Sequence, residues 1–298
     1  MKSVMRYFLI VSAVSLLLVL PGCGSRISET LSLSNANLET RLASTTELLI
    51  DDMVDTYDKV QTFAFDSEFD GVVAGILASS ADRYEPSPLI SDTLRAKIQI
   101  LNLYKQLVHE YALLADDGFT GKLGPFANCS NAILDAYTRL DDSIAQACSQ
   151  QVLPLIRSSR YDKNAVAVQL IEALSAMWKK DAETWSGRLN TSFLDYQTTL
   201  SMIPDDAFDE DKLAKYVSAP YNGKHNLAEV YKVELIKERR NMLNALVKKQ
   251  VNVTFGLQYL QHALTEFVKN NGENDVVLNY LKRIELLINR TDTTPEQK

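Results

Sequence analysis

Apolar residues recur at alternating intervals of three and four along most of this 298-residue chain. After Leu31, for example, the positions Leu38, Leu42, Thr45 and Leu49 follow this rhythm. Such spacing places apolar side chains on one face of an α-helix, whereas a half-buried strand alternates apolar and polar residues. The chain has only 11 glycines and 8 prolines, fewer than an all-β protein with its many turns usually contains. The pattern therefore predicts an all-α fold.

Helix boundaries can be predicted from capping residues, glycines and prolines. We expect five or six long helices, over residues 31–63, 91–117, 125–159, 162–202, 226–268 and 275–290. Asp162 and Asn226 are good N-cap residues for the fourth and fifth helices. Pro154 should kink the third helix or end it near residue 153, because proline lacks the backbone N–H. Long helices joined by short loops favour an elongated antiparallel bundle.

The first 23 residues have the three zones of a secretory signal peptide. Lys2 and Arg6 form a positive start, and residues 8–20 are uncharged and apolar. This apolar run is shorter than the ~20 residues that a helix needs to cross the hydrocarbon core. A cleaved leader is therefore favoured over a permanent transmembrane anchor.

The leader ends in Leu20-Pro21-Gly22-Cys23, which resembles the lipobox of bacterial lipoproteins. Leu20, the small Gly22 and Cys23 match the pattern of that family, while Pro21 stands where a small residue is commoner. The resemblance implies that residues 1–22 are removed and that Cys23 receives a diacylglycerol thioether and an amide-linked acyl chain. Several acyl chains anchor a protein stably to a membrane. The alternative is an ordinary cleaved signal followed by an incidental cysteine.

The resemblance also implies a location and a domain order. Gly24 follows the cysteine, and the family's inner-membrane retention signal would be Asp at that position, so sorting to the outer membrane of a Gram-negative cell is expected. Residues 23–30 would form a lipidated tether. The helical bundle domain would cover residues 31–290, and residues 291–298 would be a disordered tail.

The net charge of −7 bears on the partners of the chain. An acidic protein lacks the electrostatic footprint of a nucleic-acid-binding protein. It also lacks a cationic face for anionic lipid. We therefore expect no nucleic acid as partner, membrane attachment through the lipid on Cys23, and another envelope protein as a partner.

Trp178 and Trp185 lie one heptad apart on the fourth predicted helix. Two indole rings on one helix face could line a ligand groove or a partner site. Aromatic stripes at helical spacing more often pack into the core, which is the alternative.

No metal site is predicted, although His262 and Glu266 are weak candidates. They are four residues apart, a spacing that can place two ligands on one helix face. His225 and Glu229 share this spacing, but neither pair belongs to a complete ligand motif. The acidic residues of 205–211 lack the spacing of an EF-hand loop and are expected to be a solvated connection.

Cys129 and Cys148 fall in a single predicted helix, about 28 Å apart at 1.5 Å per residue. A disulfide needs Cα atoms within about 7 Å. Either the helix breaks between the two residues, or they stay as thiols or bond to a partner chain.

Residues 72–78 (VVAGILA) are small and apolar. They could form a close helix-packing face or the membrane-inserting tip of an α-helical pore-forming toxin. Seven residues cannot span a bilayer, so packing is favoured.

The sequence contains no catalytic or cofactor motif. We expect a non-enzymatic envelope lipoprotein, without a cofactor, whose bundle is an interaction or structural module. The alternatives are a periplasmic small-molecule or metal-binding protein and a pore-forming or toxin-like protein. An enzyme whose site is assembled across helices also stays open, because such sites are recognised by geometry and not by chain position.

Overall fold

The structure is a computed structural model, which describes residues 37–63, 88–116, 123–140, 143–158, 162–207, 226–269 and 274–289. These residues form seven α-helices, which are α1 over residues 37–63, α2 over Pro88–Asp116, α3 over Leu123–Arg139, α4 over Ser143–Arg157, α5 over Lys163–Met202, α6 over Leu227–Lys269 and α7 over Asn274–Asn289. A 3-10 turn, Asp205–Ala207, follows α5. No strand occurs among the described residues, and the predicted all-α helical bundle is confirmed.

Helix α1 lies at the centre of the bundle. Polar contacts join it to four other helices: Asp51 to Lys105 on α2, Tyr57 to Asp181 on α5, Asp52 to Lys249 on α6 and Arg41 to Glu285 on α7. Buried side chains occur on several of its sides, and some of them are polar. The hydroxyls of Thr46 and Thr56 donate to the carbonyls four residues earlier, at 2.7 and 2.6 Å, so burial leaves neither without a partner.

The longest helices, α5 and α6, run antiparallel. Trp178 on α5 donates a hydrogen bond to Thr254 on α6, and Gln250 on α6 donates one to the Ala182 carbonyl on α5. Residue numbers therefore increase along α5 in the direction in which they decrease along α6. Helix α5 has 40 residues, which corresponds to about 60 Å at 1.5 Å per residue. The central α1 instead runs parallel to α5.

The N-caps of α5 and α6 are those predicted. The Asp162 carboxylate accepts from the backbone N–H groups of Asn164 and Ala165, at 2.9 and 3.2 Å. The Asn226 side chain accepts from the N–H of Ala228 at 3.0 Å. Both contacts satisfy donors that have no partner within the helix.

The prediction of one continuous helix over residues 125–159 is wrong. The chain forms α3 and α4, and α3 closes with a turn in which the Leu140 N–H bonds the Tyr137 carbonyl at 3.0 Å. Asp142, which directly precedes α4, is a residue type favoured at N-caps and could have indicated the break. Helix α4 also continues through Pro154 to Arg157. Pro154 is exposed in the last turn, so it removes one hydrogen bond near an end that already frays.

Several predictions fall on residues outside those described. They concern the leader, the Cys23 tether, residues 72–78, the acidic connection after residue 207 and the tail. Among the described helices, none combines the length and the hydropathy of a membrane span.

Candidate functional site

A polar cluster joins three helices inside the core, and we call Tyr57, Lys97 and Asp181 the Asp181 cluster. The Asp181 carboxylate on α5 is buried. It accepts from the Tyr57 hydroxyl on α1 at 2.6 Å and from the Lys97 ammonium on α2. The cluster therefore connects α1, α2 and α5 through one carboxylate.

The two tryptophans surround this cluster. Both indoles pack edge-on against the Tyr57 ring, with centroids 5.6 Å away for Trp178 and 4.7 Å away for Trp185. The Trp178 Nε1–H also donates to the Thr254 hydroxyl at 3.0 Å. Trp178 is 1% exposed and Trp185 is 7% exposed. The structure therefore places both rings in the core, and neither lies on a surface where a ligand or partner could contact it.

The Asp181 cluster is an ion pair with an additional hydrogen bond from a tyrosine hydroxyl. Burial, together with the charge of Asp181, raises the pKa of Tyr57 well above its ordinary value, so the phenol stays a neutral donor. Lys97 and Tyr57 occupy both oxygens of the carboxylate. None of the three residues lines any of the cavities described below. The arrangement links α1, α2 and α5 through one buried carboxylate.

A second ion cluster joins α6 to α1. Lys249 lies 3.0 Å from Asp52 and also bonds Asp55, which in turn lies 2.8 Å from Lys59. Burial alone would lower the pKa of Lys249, but the two carboxylates outweigh it and leave that pKa raised. Burial alone would raise the pKa of Asp55, but hydrogen bonds from Lys249 and Lys59 outweigh it and leave that pKa lowered. These charges are neutralised within the fold.

The weak metal candidates do not form a cluster. His262 is exposed and stacks on Tyr280, with ring centroids 5.6 Å apart, while Glu266 lies 3.4 Å from Lys269. Within the part of the chain that the structure describes, no three His, Cys, Asp or Glu side chains converge as metal ligands do. His225 lies outside the described residues.

The two cysteines lie on different helices, Cys129 on α3 and Cys148 on α4, and both are free thiols. Burial raises the pKa of the Cys148 thiol to about 11. Burial, with a smaller effect of Glu110, also raises the pKa of Cys129. Because the thiolate is the nucleophile, burial makes both thiols less reactive than an unperturbed cysteine.

Three cavities are of interest among the described residues. An open cleft of about 500 Å³ lies between α4, α5 and α6 and is lined chiefly by Leu155, Val168, Gln169 and Val268. A much smaller space of about 30 Å³ lies within the core, near Tyr104 and Phe126.

The third cavity is an open groove of about 640 Å³ where α5 ends and α6 begins, and we call it the tip groove. Its lining consists of Ser201, Met202, Ile203, Pro204, Asp205, Glu229, Lys232, Val233 and Ile236. Local sequence patterns do not indicate this groove, because its two walls are more than 20 residues apart in the chain.

The fold and these clusters define an all-α helical bundle stabilised by internal ion pairs. No protein-family model, no curated protein and no solved structure matches the chain.

Proposed function

We propose that the protein is a cell-envelope lipoprotein, held to a membrane by acylated Cys23, whose helical bundle is a non-enzymatic interaction or structural module. The observation that carries the proposal is the sequence Leu20-Pro21-Gly22-Cys23 at the end of a short apolar leader. Its outer-membrane placement follows from Gly24 after the cysteine.

The described residues support a role in binding other macromolecules. The two buried carboxylate clusters are fully engaged in ion pairs, and both thiols have raised pKa values. The long helices make an extended scaffold, about 60 Å along α5. A rigid rod of this kind can present a surface at a distance from its anchor.

The alternatives gain no support from the geometry. A small-molecule site at Trp178 and Trp185 would require exposed indoles, and both are buried. A metal site at His262 and Glu266 would require further ligands near them, and Glu266 faces Lys269. The pore-forming alternative depends on residues 72–78, which lie outside the described residues.

Metabolic labelling with an alkyne fatty acid tests the anchor. The full-length protein would be expressed in bacteria as wild type, as Cys23→Ser and, as the matched control, as Cys129→Ser. We expect label on the wild type and on Cys129→Ser and none on Cys23→Ser. An unlabelled wild type, or label that persists in Cys23→Ser, would refute the proposed acylation.

A further inference from the structure

We infer that the tip groove is a partner-binding surface and that it takes a cationic, amphipathic polypeptide segment. This inference rests on the proposed function only for its setting, the cell envelope.

The tip groove belongs to a part of the molecule that extends beyond the main core. Tyr196, Leu200 and Ile203 form a separate apolar cluster, and the half-buried Leu235 and Ile236 pack against it. Near the inner limit of this part, the buried Arg239 of α6 donates to the Phe63 carbonyl at the last described residue of α1, at 2.6 Å.

The most exposed apolar side chains lie in this part of the molecule. Met202 is 69% exposed and Val233 is 63% exposed, the two highest values for large apolar residues among those described. Both line the tip groove, one on each wall. Single exposed apolar residues are common, but apolar residues gathered in one groove and rimmed by polar groups mark interaction sites. Methionine in particular adapts its shape to a bound partner.

The charged residues of the groove indicate the sign of the charge that a partner should carry. Asp205 and Glu229 line it, and the exposed Asp206 adjoins it. Lys232 is the one cation of the described lining, and its ammonium bonds the Asp205 carboxylate at 2.8 Å and the Ile203 carbonyl at 2.5 Å. The described lining thus carries two carboxylates against one ammonium, with the apolar side chains of Met202 and Val233 among them, which complements a partner with basic residues beside apolar ones.

The groove also lies far from the expected anchor. Glu39 on α1 bonds Lys163, the first residue of α5, at 2.6 Å, whereas the groove lies at the other end of α5, about 60 Å away. The chain from Cys23 to residue 37 reaches at most about 50 Å. The first described turn of α1 and the tip groove thus lie at opposite ends of α5.

Site-specific photo-cross-linking tests this inference on the full-length protein in a neutral detergent. A photoreactive amino acid would replace Met202 or, as the matched control, Leu286, which is 56% exposed on α7. The probe is a fluorescein-labelled amphipathic helical peptide of leucine and lysine. Its twin has glutamate in place of lysine, and the detergent is common to all samples.

We expect capture of the lysine peptide at position 202 to exceed capture at position 286 by about tenfold, the ratio that corresponds to one strong anchor contact. Capture should fall at high salt and with Glu229→Lys, and the glutamate twin should not be captured. Val233→Ser should also reduce capture at position 202.

Equal capture at positions 202 and 286, or equal capture of the two peptides, would overturn the inference. A cross-linked dimer of the protein, formed at position 202 in preference to the peptide adduct, would also overturn it by identifying another occupant. If the lysine peptide is captured at position 202 as expected but Cys23 is unmodified, the groove is supported and the proposed anchor is refuted. Failure of the groove and failure of the anchor can therefore be told apart.

Discussion

Asp181 is the residue on which the positions of three helices depend, because its carboxylate serves α1, α2 and α5 together. Removing one member of a buried ion pair leaves the other members without their partner, which costs more than the pair itself contributes. The adjacent Trp178 and Trp185 keep water from replacing the lost contact.

Asp181→Ala should therefore lower the free energy of unfolding by about 3 kcal/mol. Asp195→Ala, an exposed position on the same helix, is the control and should change it by less than about 0.5 kcal/mol. Urea unfolding followed by circular dichroism measures both. Equal effects of the two substitutions would show that the Asp181 cluster has no special role.

The ion pairs of Lys249 with Asp52 and Asp55 make a pH-dependent contribution to the free energy of unfolding. Because the pKa of Asp55 is lowered in the folded protein, its ionised carboxylate stabilises the fold at pH values above the ordinary carboxyl pKa of about 3.9. This stabilisation is lost as the pH falls through the lowered pKa. The raised pKa of Lys249 means that its stabilisation is present below about 10.4 and is lost as the pH rises through the raised pKa.

Lys249→Met should lower the free energy of unfolding by about 2 kcal/mol at neutral pH, less than a fully buried pair because Asp55 is partly exposed. This deficit should shrink as the pH falls from the ordinary carboxyl value of about 3.9 through the lowered pKa of Asp55. Lys248→Met, at the exposed neighbouring position, is the control. A deficit that stays constant from neutral to acid pH would contradict this assignment.

The Asp181 cluster could not be predicted as a unit from the sequence. Asp181 continues the spacing of the buried stripe Leu174, Trp178 and Trp185, and this was the only local signal. Its partners Tyr57 and Lys97 lie 124 and 84 residues away in the chain. A periodic pattern reports which face of a helix is buried, but it does not report which face of another helix meets it.

At the scale of elements, the sequence predicted most of the helices well because the signals are local. Asp162 and Asn226 cap α5 and α6 as predicted, since capping depends on a few consecutive residues. The break between α3 and α4 was missed because no glycine or proline marks it. The parallel course of α1 and α5 was also not predicted, since it depends on contacts between distant segments.

Buried positions along α6 repeat with alternating steps of four and three. They are Arg239, Leu243, Leu246, Gln250, Val253, Leu257, Leu260, Leu264 and Phe267. This seven-residue repeat is typical of long helices that pack with a left-handed supercoil. It explains how α6 keeps one face against its neighbours from Arg239 to Phe267.

Substitutions of two glycines within helices are expected to change the free energy of unfolding in opposite directions. A Cβ at Gly187 in α5 would meet no atom within 4 Å, whereas a Cβ at Gly256 in α6 would lie 2.6 Å from Leu49 Cδ1 on α1. Gly187→Ala should raise the free energy of unfolding by about 0.5–1 kcal/mol, because alanine has the higher helix propensity. Gly256→Val should lower it by about 1–3 kcal/mol, because the added methyl groups force Leu49 and α1 to shift.

Thermal unfolding of the two variants beside the wild type measures this difference. Similar shifts of the midpoint for both variants would contradict the close packing of α1 and α6 at Gly256.

At the scale of the whole molecule, the all-α class and the elongated form followed from the sequence, whereas the tip groove did not. Helical periodicity and the scarcity of glycine and proline exclude most other folds. The groove combines the end of α5 with the start of α6, and its acidic, apolar character appears only when Met202, Asp205 and Val233 are placed together.

The described start of α1 lies at one end of α5, and the tip groove lies at the other end. Among the described residues, the buried Asp181 and Lys249 are engaged in ion pairs, both tryptophans are buried, and the two most exposed large apolar side chains line the tip groove. Such a distribution suits a scaffold that holds a partner at a distance from a membrane, as we propose.

The intact mass of the full-length protein, extracted from bacterial membranes, distinguishes an acylated Cys23 from an unmodified one. We predict the mass of a molecule that lacks residues 1–22 and carries a diacylglycerol and a further acyl chain on Cys23. A mass that retains Met1, or that shows Cys23 without modification, would contradict it.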